Sequence, residues 1–71
     1  MKKIILNYKG RDSRSRPVYE SEGVLCVDVD PRKEYGPSIH TKYRNDFDGE
    51  PDELLSKDIQ IEFVPYRDVW D

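Results

Sequence analysis

The sequence predicts a mainly β domain: a small antiparallel sheet or open barrel of four to five strands, with at most one short helical turn. Three observations predict it. The apolar residues gather into short β-branched runs with a period of two, the signature of half-buried strands. Glycine, proline, asparagine and aspartate cluster between those runs, where each favours a turn for its own conformational reason. The connections are short, and consecutive strands joined by short turns pair antiparallel.

The first run, Lys2 to Tyr8, sets Ile4, Leu6 and Tyr8 on one face and Ile5 and Asn7 on the other. Lys9-Gly10 opens a polar loop, Arg11 to Arg16, with no apolar residue to bury. Pro17 suits the first position of a strand, where its missing N–H matters least, and Val18-Tyr19-Glu20 follows. Ser21-Glu22-Gly23 reads as a three-residue hairpin loop with glycine in the left-handed region. The return arm, Val24 to Val29, divides into Leu25, Val27 and Val29 on one face and Val24, Cys26 and Asp28 on the other. Asp30-Pro31 ends it, and Gly36-Pro37 lies in the loop that follows.

Ser38 to Tyr43 alternates again, which predicts Ile39, Thr41 and Tyr43 inward and His40 and Lys42 outward. Asn45 to Asp52 is a turn-rich loop, in which Gly49 is expected to supply a positive φ and Phe47 to pin the loop to the core. Pro51 to Leu55 reads as one helical turn, with proline first and acids near its positive end. Lys57 to Val64 is the last strand, with Ile59, Ile61 and Phe63 on one face, and Pro65 stops it. Tyr66, Val69 and Trp70 form an aromatic tail.

Residues 1–71 read as a single domain, since a chain of this length holds no more than one. Charged residues make up 38% of it, above the usual share of about 25%, and the thin core invites a partner. The pattern suits a monomer and a homodimer equally. One cysteine, Cys26, leaves no internal disulfide, and only Ile4-Ile5-Leu6 is apolar near the start, so a cytoplasmic, membrane-free protein is expected. Residues 1–16 carry six basic side chains against Asp12 alone, whereas residues 17–71 carry six basic and fourteen acidic ones.

Few constellations point to chemistry. Asp46, Asp48, Glu50 and Asp52 surround Gly49 as calcium-binding loops do. In an EF-hand register, however, Arg44 and Leu55 fall on ligand positions, so no metal is expected. His40 and Cys26 are single, on separate strands, and cannot by themselves complete a zinc site or a nucleophile–base pair. The four glycines are isolated and form no phosphate loop. No cofactor and no enzymatic activity are expected.

Binding is the alternative to chemistry. Arg11, Arg14 and Arg16, flanked by Tyr8 and Tyr19, could meet phosphates and bases, although a pI of about 5.1 weighs against nucleic acid. A net charge of −3 is small for an acidic mimic of nucleic acid. Trp70 and its neighbours could anchor a protein partner or close the domain's own core.

Gly10-Arg11-Asp12, Pro17-Val18-Tyr19, Val27-Asp28-Val29 and the string Phe47-Asp48-Gly49-Glu50-Pro51-Asp52 together resemble a group of small proteins and domains of phages and conjugative elements of Firmicutes. Some members of that group are fused into large polyvalent proteins. The resemblance implies an accessory domain of a mobile element with a macromolecular partner, and it implies no catalytic residue. The sequence therefore favours a non-enzymatic interaction domain that binds another protein. The alternative is a nucleic-acid contact domain using Arg11–Arg16. Candidate binding residues are Arg11, Arg14, Arg16, Asp46, Asp48, Glu50, Asp52 and Trp70.

Overall fold

The computed structural model describes residues 3–55 and 59–70. The predicted strand positions Lys2, Lys57 and Asp58 lie outside them. Six strands form one open sheet: β1 (Lys3–Arg11), β2 (Pro17–Ser21), β3 (Val24–Asp28), β4 (Ile39–Lys42), β5 (Pro51–Leu54) and β6 (Gln60–Val64). Their spatial order is β5-β4-β3-β2-β1-β6, antiparallel throughout except that β6 runs parallel to β1. The expectation of four or five antiparallel strands is thus corrected to six in a mixed sheet. Short connections do favour antiparallel pairing, but only between strands that are joined; β6 pairs with the first strand, not with β5.

That pairing requires curvature. In a flat sheet the outermost of six strands would lie about 24 Å apart. Leu54 and Gln60 are six residues apart and can be separated by no more than about 21 Å. Part of that reach is spent along the strand direction, because β5 and β6 both run as β1 does. The sheet therefore curls until its two edges face each other.

The concave face holds Leu6, Tyr19, Cys26 and Ile39, with Ile4, Tyr8, Leu55, Ile61 and Phe63 packed against them. The alternation predicted for the first and last strands holds: Ile5 is exposed while Ile4, Leu6 and Tyr8 turn inward. In β3 it is Cys26 that faces the core. Val27 pairs with Val18 on the convex face, and both are fully buried there.

The hairpin between β2 and β3 has two loop residues rather than three, because Ser21 still pairs with Val24. Glu22 and Gly23 both have positive φ, 51° and 83°, the pair of signs a type I′ turn requires. Gly10, at φ 121°, marks a bulge where β1 loses register against β2 and continues to Arg11.

Two further expectations fail for local reasons. Pro51–Leu54 is a strand, not a helical turn; the helical turn is a 3-10 segment at Tyr43–Asn45. Arg44 and Asn45 adopt positive φ there, which ends β4 at Lys42 and leaves Tyr43 exposed instead of inward. Gly49 does not have positive φ. It is needed for space, since a Cβ would lie 2.6 Å from the Tyr43 carbonyl oxygen. Among the described residues no helix is long and apolar enough to cross a membrane.

Candidate functional site

The two loops singled out by their charge fold over the convex face and meet. Asp12 and Lys42 join them, and both side chains are fully buried. The Lys42 Nζ donates to Asp12 Oδ2 at 2.7 Å and to the Gly49 carbonyl at 2.9 Å. Asp12 Oδ1 accepts the backbone N–H groups of Arg14 and Arg16, and Oδ2 also accepts Arg16 Nε at 3.1 Å. Burial would raise the Asp12 pKa, but the Lys42 ammonium and those N–H groups hold the carboxyl down at about 2. Lys42, expected outward, does lie on the convex face, and becomes buried because the loops close above it.

The acidic loop is similarly occupied. Asp46 Oδ1 accepts the Asp48 N–H, and its carbonyl accepts the Gly49 N–H, which closes a turn. Asp48 Oδ1 accepts the Ser13 N–H at 3.0 Å, tying this loop to the basic one. Glu50 is exposed, 3.6 Å from Arg14, and Asp52 lies exposed on β5. Among the described residues no group of three or more His, Cys, Asp or Glu side chains is arranged to hold a metal ion.

The arginine stretch is divided by the fold. Arg11 belongs to β1, and its guanidinium grips Asp68 through Nε at 2.8 Å and Nη2 at 3.0 Å. These bonds hold the Asp68 carboxyl below its ordinary range and Arg11 above its own. Arg16 is held by Asp12, and Arg14, its side chain 67% exposed, lies 3.6 Å from Glu50. Tyr8 and Tyr19 are not stacking groups. Tyr19 is wholly buried, its hydroxyl accepts the Asp68 N–H, and burial first of all raises its pKa to about 12. Cys26 and His40 are not brought together. They occupy opposite faces of the sheet, and burial raises the Cys26 thiol pKa.

The aromatic tail turns back onto the domain. Asp68 accepts the Tyr8 hydroxyl at 2.6 Å, and Arg67 reaches Asp28 and the Tyr35 carbonyl. Trp70 donates its backbone N–H to the Pro31 carbonyl and its indole Nε1–H to the Ser15 carbonyl, each at 2.9 Å.

Among the described residues, the concave side keeps a feature open to a ligand. Between the facing edges lies a seam of about 730 Å³, lined by Ile39, Leu54 and Leu55 on one side and Ile59, Ile61 and Phe63 on the other. Leu54 is 56% exposed at its rim. Leu55 directs its N–H group toward the Ile39 carbonyl of β4, so that of Leu54 points away from the sheet. Glu50, Asp52 and Glu53 make this rim acidic. Alternation places Ile39 inward and Ile59, Ile61 and Phe63 on one face, whereas Leu54 and Leu55 are expected in a helical turn; that these residues border one seam follows only from the curl of the sheet, a long-range property. No protein family, curated protein or solved structure matches the chain.

Proposed function

We propose that the chain is a non-enzymatic module that binds another protein by accepting an extended segment of it in the seam between β5 and β6. The observation that carries this reading is the apolar seam itself, bounded by a strand edge with outward backbone groups and an exposed leucine. An unpaired edge offers main-chain hydrogen bonds to an incoming strand, and a neighbouring apolar groove selects its alternate side chains. The acidic rim favours a segment that alternates apolar with basic residues. The resemblance to accessory domains of mobile elements agrees with a macromolecular partner.

Selection from a random peptide library on the immobilised chain tests this directly. Selected peptides should alternate apolar and basic residues, and their binding should weaken by tenfold or more (about 1.4 kcal/mol) on Leu54→Lys. Leu54 is exposed, so that replacement leaves the core intact. Failure to select any peptide, or equal binding by Leu54→Lys, would refute the reading.

A further inference from the structure

Residues 66–70 lie in a groove of their own domain as a bound peptide would. The groove crosses the end of the sheet where β1 and β3 finish. Its backbone contacts are those of a short strand: Trp70 bridges Arg32 in parallel and donates its N–H to the Pro31 carbonyl at 2.9 Å. The Asp68 N–H donates to the Tyr19 hydroxyl, and Arg11 Nη2 reaches the Val69 carbonyl at 3.4 Å. Three side chains are then recognised one by one. The Arg67 guanidinium meets Asp28 Oδ2 through Nε and Nη2, each at 3.3 Å, and the carbonyls of Tyr35 and Arg32. The Asp68 carboxylate accepts two bonds from Arg11 and one from the Tyr8 hydroxyl. The Trp70 indole N–H finds the Ser15 carbonyl.

Groove and segment are complementary in charge position by position, with an acid facing Arg67 and a base facing Asp68. The groove also needs an occupant. Without one, the wholly buried Asp28 carboxylate loses the guanidinium that neutralises it. Yet little apolar area holds the segment in place. None of residues 59–70 is buried, and Tyr66 and Trp70 are 58% and 38% exposed. A segment fastened by partly exposed hydrogen bonds opens more readily than the buried strands beneath it. The same segment of a second copy makes every bond that the first one makes, and exchange of an identical element is a low-cost route to a dimer.

We propose that this groove is a docking site for an Arg-Asp-Val-Trp segment, and that its partner in trans is that segment of a second copy of this chain. Within one molecule the short tether gives an effective concentration on the order of millimolar, so in dilute solution the segment closes on its own domain. Two copies exchange segments when that closure is blocked, or when the chain is more concentrated than the tether makes it. The groove is separate from the seam and does not rest on it.

Charge reversal tests this in the full chain. Arg11→Glu sets a like charge against Asp68, and Asp68→Lys sets one against Arg11. In each variant alone the segment should come off, and the emission of Trp70, the one tryptophan, should move to the red. Mixed in equal amounts, the two variants should form a heterodimer in sedimentation velocity, because each groove matches the other's segment. The emission should then return to that of the original chain. A chain carrying both substitutions restores the pair in cis and should be monomeric, with the original emission. The proposal is overturned if the emission of the single variants does not move, if their mixture stays monomeric, or if either variant alone dimerises as strongly as the mixture. Should a variant unfold, the unmodified chain decides. A synthetic Pro-Tyr-Arg-Asp-Val-Trp peptide at several millimolar, on the order of the tether's effective concentration, should add a second set of Asp68 and Trp70 amide signals, those of the displaced segment. The peptide with asparagine in place of aspartate should need a concentration about tenfold higher or more. No second set, or equal potency of the two peptides, would also overturn it.

Discussion

Removing the Asp12 carboxylate would strand a buried lysine and two backbone N–H groups at once. Breaking a buried charge pair from one side costs about 3–5 kcal/mol, so Asp12→Ala should lower the unfolding free energy in urea by about that much. Lys42→Met should be milder, about 1–3 kcal/mol, because Asp12 keeps Arg16 and both N–H groups. Equal losses would contradict the reading of Asp12 as the hub. The pH dependence follows from the same hydrogen bonds. Asp12 titrates at about 2 when folded against an ordinary 3.8, and a depressed folded pKa gives stability that is present above the ordinary value. That stability should drain away as pH falls from about 4 toward about 2, and Asp12→Asn should flatten the slope over this interval. Asp68, lowered chiefly by Arg11, acts in the same direction. None of this was legible in the sequence. Aspartate in a polar stretch looks solvated, and only the meeting of two loops separated by about thirty residues buries it.

Strand elements were more legible, because their signal is local. Leu6 inward and Ile5 outward follow from the pleat alone, as do Ile61 and Phe63 against the core. The β2–β3 hairpin lies where the sequence predicts it, with a loop one residue shorter, because glutamate is an unusual choice for a left-handed position. That choice yields a prediction. Glu22→Asn should stabilise the domain by about 0.5–1 kcal/mol, since asparagine tolerates φ near +50° better, while Gly23→Ala should destabilise it by about 1–2 kcal/mol. Thermal melts of the two variants check both signs. The helical turn expected at Pro51–Leu55 fails for the opposite reason. Proline followed by acids is a sound local signal for a helix start, but pairing with β4 overrides it.

At the scale of the whole molecule, curvature determines what the chain offers to others. It brings β5 and β6 face to face, gathers Ile39, Leu54, Ile61 and Phe63 around one seam, and leaves outward backbone groups at its rim. Ile39, Ile61 and Phe63 of the seam were visible in the sequence as core candidates, whereas Leu54 was expected in a helical turn. Their second role was not, because strand order and curl are set by pairing between distant segments, above all β1 with β6. The basic and acidic loops, the most conspicuous features of the sequence, serve mainly to close the convex face.

The most direct measurement of the central claim is amide hydrogen exchange, residue by residue, with and without a peptide selected on the chain. In the free protein the amide of Leu54 should exchange rapidly, because its N–H group points away from the sheet. With peptide bound it should slow by an order of magnitude or more, while the amides of residues 12–16 and 66–70 stay unchanged. Protection confined to those loop and tail amides, with Leu54 still exchanging freely, would contradict it.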